Sequence, residues 1–272
     1  MPSVQLPPLT LKMYNAGPGS FHVNSVVITG KSESLAIDSG FARSDALRIA
    51  ANILDAGKPI SRVFISNADP DYYFGAEVLR GLFPEVRTLT SPAVREKIQE
   101  KLAAKLAFWS PKMGANAPRR PIVPDAFAGA ALELEGRAIE LRGSTGLLAH
   151  RPYLWIPSLR AIVGNVAVFG NLHVWTADVQ KLEERQAWLD QLDEMLALNP
   201  AVVVPGHMAE GTALDATAIV YTRDYLRRFY AEAAKAPNAA ELVKVMRLAC
   251  PRAGLPMALE IGAKVAKNEM QW

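Results

Sequence analysis

Apolar and β-branched residues recur among polar ones over residues 9–14, 21–29 and 34–38, with Gly17, Gly19, Gly30 and Gly40 punctuating the turns. A period of two bounded by glycine turns predicts three strands. The period then changes: Ala46, Leu47, Ile49, Ala50 and Ile53 recur at helical spacing and predict a helix over 44–54. Val63, Phe64 and Ile65 read as a short buried strand, followed by a polar loop over 67–72 and a helix to about Leu82, closed by Pro84. A strand over 86–90 and a helix over 92–108 complete the first half. Segment 110–125 carries Pro111, Pro118, Pro121 and Pro124, too many prolines for a continuous element, and reads as a linker or lid.

Strands are expected again at 131–134, 138–141, 153–156 and 161–163. An amphipathic helix follows over 178–198, with Leu182, Trp188, Leu189, Leu192, Met195 and Leu196 on one stripe and Asn199-Pro200 at its end. A buried strand over 201–204 runs into Pro205-Gly206-His207, and helices are expected over 214–235, 239–248 and 256–266. Two successions of β-meander then β/α predict two sheets face to face with helices outside, an α/β chain. We expect a single domain over 1–272 with a helical C-terminal segment from 212.

Composition narrows the classes. Half of the 272 residues are hydrophobic and 21% are charged, which excludes a disordered chain. Thirty bases against 27 acids leave a net charge of +3, so charge does not point to nucleic acid. The single Cys250 permits no intramolecular disulfide and no Cys-x-x-Cys metal knuckle. Residues 1–8 lack the basic and apolar regions of a secretion signal, and no apolar run approaches the roughly 20 residues of a membrane span. The expectation is a soluble cytoplasmic chain that binds a small molecule and neither nucleic acid nor membrane.

Two loops follow buried strands, where α/β proteins place their ligands. One runs through Asn67, Asp69, Asp71, Tyr72 and Gly75, and the other is Pro205-Gly206-His207. On local sequence Asp71 serves equally as a helix cap and Asp69 as a solvated turn residue. In series with Trp155 to Leu159, Ile162 to Asn165, Leu172 to Trp175 and Val204 to His207, however, the first loop resembles the metallo-β-lactamase superfamily motif His-x-His-x-Asp-His. The likeness extends from the Asp38-Ser39-Gly40 turn to His207.

The resemblance implies a four-layer αββα sandwich with an active site at its edge, usually built for one or two zinc ions. Carried over position by position, the three motif histidines fall on Asn67, Asp69 and Tyr72, and the motif aspartate on Asp71. The next histidine falls on Ser144, the bridging aspartate on Asn165, and the last histidine survives as His207. Zinc sites use imidazole, thiolate and carboxylate donors, at least three per ion. A dinuclear site is therefore not expected, and the reading is of no metal cofactor; a single ion on Asp69, Asp71 and His207 is the lesser alternative, with oxygen donors favouring a harder ion than zinc.

Without metals, Asp69, Asp71, His207 and Tyr72 are the candidate catalytic groups, with one crowded carboxylate as base, His207 as acid, and Tyr72 or Asn67 donating to an oxyanion. Asn67, Ser144, His150, Asn165, His173 and Trp175 are the candidate substrate contacts. Hydrolysis of a small ester, lactone or amide, or proton-transfer chemistry, is one expectation. A non-catalytic relative that binds a ligand or partner is the other. Polar replacements, costly to bury unless satisfied, favour the enzyme. An RNA-processing nuclease of this fold would need metal and a larger insertion than 110–125 supplies.

Overall fold

The computed structural model describes residues 8–272; the opening stretch judged to lack a signal sequence, apart from Pro8, lies outside it. A six-stranded sheet is ordered β1 (Thr10–Asn15), β2 (Asn24–Thr29), β3 (Ser34–Ile37), β4 (Ile60–Ile65), β5 (Arg87–Thr90) and β6 (Asp125–Ala126). The first three strands run antiparallel as a meander, and β3 to β6 are parallel. A second sheet contains β7 (Ala131–Leu134), β8 (Arg137–Arg142), β9 (Tyr153–Ile156) and β10 (Ala161–Val163), with β12 (Val202–Val203) parallel to β10 at its edge. Between them in sequence, β11 (Phe169–Gly170) pairs in parallel with β13 (His207–Met208).

The period-two pattern explains the layering. Leu35, Ile37 and Phe64 of the first sheet meet Leu154, Ile156, Ala161 and Val163 of the second in one core. Their neighbours Ala36, Val63 and Ile65 face outward onto α1 (Arg43–Asp55), α3 (Ala76–Leu82) and α4 (Pro92–Met113). On the far side Tyr153, Trp155 and Ile162 pack against α5 (Leu182–Ala197), α6 (Thr217–Lys235), α7 (Ala239–Ala249) and α8 (Pro256–Ala266). Strands buried on both faces read as continuous apolar runs. The result is the expected αββα sandwich. Among the described residues no helix is long and apolar enough to cross a membrane.

Three element ends differ from the sequence reading. α4 continues through Pro111 to Met113 instead of stopping near Phe108. A proline in the last turn removes one hydrogen bond but keeps a helical φ, and Gly114 at φ +54° ends the helix. The rest of 110–125 is not free: Glu77 on α3 accepts from the backbone N–H groups of Arg119 (2.9 Å) and Arg120, and the segment ends as strand β6. α5 begins at Leu182, four residues late, because the Glu184 carboxylate accepts from the Lys181 N–H and fixes the first turn there. α6 begins at Thr217, where Asp215 accepts from the Thr217 N–H at 2.9 Å.

Candidate functional site

At the end of β3, Asp38 lies at φ +62° and accepts from the N–H and Oγ of Ser66 at the end of β4 (2.7 and 2.8 Å). Burial pushes its carboxyl up to about 8 in spite of those bonds. This joint fixes where the loop after β4 departs. Asn67 Oδ1 accepts from the Asp69 N–H at 2.9 Å, turning the chain into the single-turn helix α2 (Pro70–Tyr73). Gly75 then passes so close to the Ser39 carbonyl that a Cβ would collide with backbone. Asp69 makes no side-chain cap to α2, so its carboxylate is left for the cavity.

That cavity, about 260 Å³, opens at the sandwich edge. Asp69, Asp71, Asp178, Lys105 and His207 supply its polar groups, and Phe21, Phe41, Phe108, Trp109, Phe169, Trp175 and Trp272 supply aromatic wall. Phe108 and Trp109 come from α4, so the covering element is that helix, and no residue of 110–125 lines the cavity.

His207 is held on two sides. Its Nδ1 lies 2.9 Å from the Phe21 carbonyl oxygen, and its ring stacks on Phe169 with centroids 5.0 Å apart. A carbonyl only accepts, so Nδ1 carries the proton and Nε2 turns to the cavity, 3.5 Å from Asp71 Oδ2. Burial lowers the imidazole to about 4, which keeps it neutral, with Nε2 as an acceptor. Asp71 is 6% exposed and its carboxyl hydrogen-bonds no other residue; burial raises it, against its own backbone N–H and Lys105. Asp69 is more open, with 35% of its side chain accessible. It is raised by desolvation, then by Asp178 and Asp71, against Lys105, whose Nζ lies 3.9 Å from Asp69 Oδ1.

The other sequence candidates divide. Trp175 lines the cavity, 5.1 Å from the Trp272 ring. Tyr72 is fully buried behind it: its hydroxyl donates to the Asn165 carbonyl (3.1 Å) and sits against Gly206, where a Cβ would meet it at 2.6 Å. Asn165 is also buried, its amide donating to the Val204 carbonyl (3.0 Å) and accepting from the Val168 N–H (2.9 Å). Asn67 is spent on the Asp69 turn. Neither Tyr72 nor Asn67, the expected oxyanion donors, lines the cavity, and both are engaged with backbone. His173 is not a cavity residue either; it is 2% exposed, bonded to the Tyr225 hydroxyl at 3.0 Å, and lowered to about 4 by burial. Ser144 and His150 are half-buried and lie outside the cavity wall.

Three residues that the sequence reading does not single out complete the site. Asp178 falls at the expected start of α5; in the structure it lies in the loop before it and accepts from Trp272 Nε1 at 2.7 Å. The signal for it is the Glu184 three residues after Lys181, which marks a later helix start. Lys105 and Trp272 carry no signal that separates them from other surface lysines or a chain end.

The family's zinc chemistry can be tested against these donors. Of its ligand positions, those on Asn67, Tyr72 and Asn165 are consumed by internal hydrogen bonds. Among the described residues no three His, Cys, Asp or Glu side chains converge closely enough to hold a metal ion, Asp69, Asp71 and His207 included. The donor set does not fit a dinuclear zinc centre.

The comparisons agree on the scaffold. Residues 18–207 match the sequence model of the metallo-beta-lactamase superfamily. No curated protein matches significantly. A metallo-beta-lactamase family protein from Thermus thermophilus superposes with a TM-score of 0.68 at 15% identity, covering 96% of this chain and 92% of its own. A beta-lactamase domain protein from Burkholderia ambifaria gives 0.62 at 17%, covering 95% and 84%. A metallo-beta-lactamase from Pontibacter korlensis gives 0.54 at 16%, covering 81% and 95%. With the sandwich, the edge cavity and the match over most of its length, the chain belongs to the metallo-beta-lactamase superfamily.

Proposed function

We propose that this chain is a hydrolase-type enzyme that acts on a small ester, lactone or amide with an apolar or aromatic body, by acid–base chemistry of its own side chains in place of a dinuclear zinc centre. One observation carries the reading. Asp71, buried and without a hydrogen bond to any other residue, faces the acceptor nitrogen of His207 at 3.5 Å inside an aromatic cavity. Two facing acceptors need a proton between them, and that proton can reside on Asp71 or on Nε2.

The couple then works as follows. The ionised carboxylate of Asp69 takes a proton from water as the water oxygen attacks the substrate carbonyl carbon. The Lys105 ammonium, beside Asp69, stabilises the developing oxyanion. As the carbon–oxygen or carbon–nitrogen bond breaks, the proton shared by Asp71 and His207 passes to the leaving group, and the proton on Asp69 restores the pair. The aromatic walls exclude bulk water and favour an apolar acyl or leaving group. The same groups also serve proton transfer within a substrate, such as isomerisation.

A binding-only reading is favoured by a different observation: Tyr72 and Asn165 are spent on architecture and not on the cavity. A panel of aryl esters, lactones and β-lactams separates the two. Hydrolysis by the wild type that is lost in Asp71→Asn and in His207→Ala, with circular dichroism unchanged, supports the enzyme. Saturable binding of the same compounds without turnover selects the binding reading.

A further inference from the structure

Behind the loop that carries Trp175 and Asp178 lies a second cavity, about 240 Å³, between the start of α5 and the ends of α6 and α8. The loop serves both: Trp175 and Asp178 face the first cavity, while Thr176, Val179 and Gln180 line the second. The chain end is shared in the same way, with Asn268 in the second and Trp272 in the first.

The wall of the second cavity is polar and incompletely bonded. Thr176 is 4% exposed and its Oγ1 has no hydrogen-bond partner. Nε of Arg185 and the hydroxyl of Tyr230 are buried and unpartnered as well. Native structures bond nearly all such atoms, so three around one cavity point to something missing from the protein's own contacts. Charge says what. The Arg185 guanidinium stacks on the Tyr230 ring at 4.5 Å, and its chain neighbour Glu184 pairs with Lys181. Arg185 thus has no carboxylate partner among the described residues. Burial holds the Tyr230 hydroxyl protonated, raising it to about 12, so it remains a donor.

We propose that this cavity binds a small oxyanion, a carboxylate or phosphate, on the Arg185 guanidinium, with the hydroxyls of Thr176 and Tyr230 completing the donor set. A planar fork of N–H donors matches the paired oxygens of such an anion. A cation is repelled by Arg185, and an apolar ligand leaves the donors unbonded. The site is independent of the chemistry proposed for the first cavity.

Isothermal titration calorimetry on the full chain, in chloride buffer free of other oxyanions, tests it with inorganic phosphate and with succinate in separate runs. One equivalent of at least one of them binds saturably, and the better of the two names the headgroup. Arg185→Gln weakens that binding by about tenfold or more, Arg185→Lys by less, and Thr176→Val by a few-fold without touching the charge. Lys105→Met, in the first cavity, leaves it unchanged. Thermal unfolding confirms that each variant is folded, and Thr176→Val carries the test should Arg185→Gln not fold. The proposal is overturned if neither anion binds, if Arg185→Gln or, in its place, Thr176→Val binds as tightly as wild type, if glycerol binds equally well, or if Lys105→Met is the variant that loses binding.

Discussion

Behind one wall of the main cavity, Tyr72 and Asn165 bond their polar side-chain atoms to backbone. On the other wall, Asp69, Asp71 and His207 face the cavity. The first wall is backed by architecture. The second presents two carboxyls and an imidazole in a setting that raises both carboxyls and holds the imidazole neutral. A polar side chain beside this cleft therefore has one of two outcomes, decided by whether it reaches backbone partners or is left facing the cavity.

The comparison breaks most visibly in catalysis. Asp71→Asn should lower kcat on a cleaved ester by about 10²-fold or more while leaving the fold intact, since positioned acid–base groups contribute on that order. Steady-state kinetics with circular dichroism checks it, and a variant with wild-type kcat removes Asp71 from the mechanism. Asn165→Ala should do the reverse, costing about 2–4 kcal/mol in urea unfolding because the Val204 carbonyl and Val168 N–H lose a buried partner each. If Asn165→Ala is as stable as wild type, the architectural role of that wall fails.

The pH response separates the walls more gently. Asp71 has a folded pKa above its unfolded value, so its contribution to stability is full below the unfolded value near 3.8 and is lost as pH rises through the folded one. His207 is depressed to about 4; its contribution is full above 6.5 and is lost as pH falls towards 4. The urea midpoint of Asp71→Asn should therefore gain on wild type from about pH 5 to about pH 8. A constant difference would contradict the raised carboxyl. Lys105→Met is the mildest test: stability should change by less than about 1 kcal/mol, because the 3.9 Å pair is partly exposed. The acid limb of its pH–rate profile should move to higher pH, since Lys105 lowers both carboxyls.

The sandwich was legible because alternation at residues such as Leu35-Ala36-Ile37 and Leu154-Trp155-Ile156 sends neighbours to different cores. The loops carrying Asp69, Asp71 and His207 were legible from their place after buried strands. What sequence spacing could not convey was which polar side chain finds a backbone partner. Tyr72 and Asp71 are adjacent, yet one turns back to the Asn165 carbonyl and the other to the cavity. His173 shows the same limit, paired with Tyr225 52 positions away. Asp178 is hidden by a helix start expected four residues too early, and Lys105 and Trp272 enter the site only through the packing of α4 and the chain end.

The central claim is that chemistry in this cavity belongs to Asp69, Asp71 and His207 without a zinc pair. Metal analysis of protein purified without chelators, coupled to ester hydrolysis before and after chelation, tests it most directly. The expected result is well under one zinc ion per chain, and hydrolysis that survives chelation but disappears in Asp71→Asn. Two tightly bound zinc ions per chain, with activity lost on chelation and restored by zinc, would contradict it.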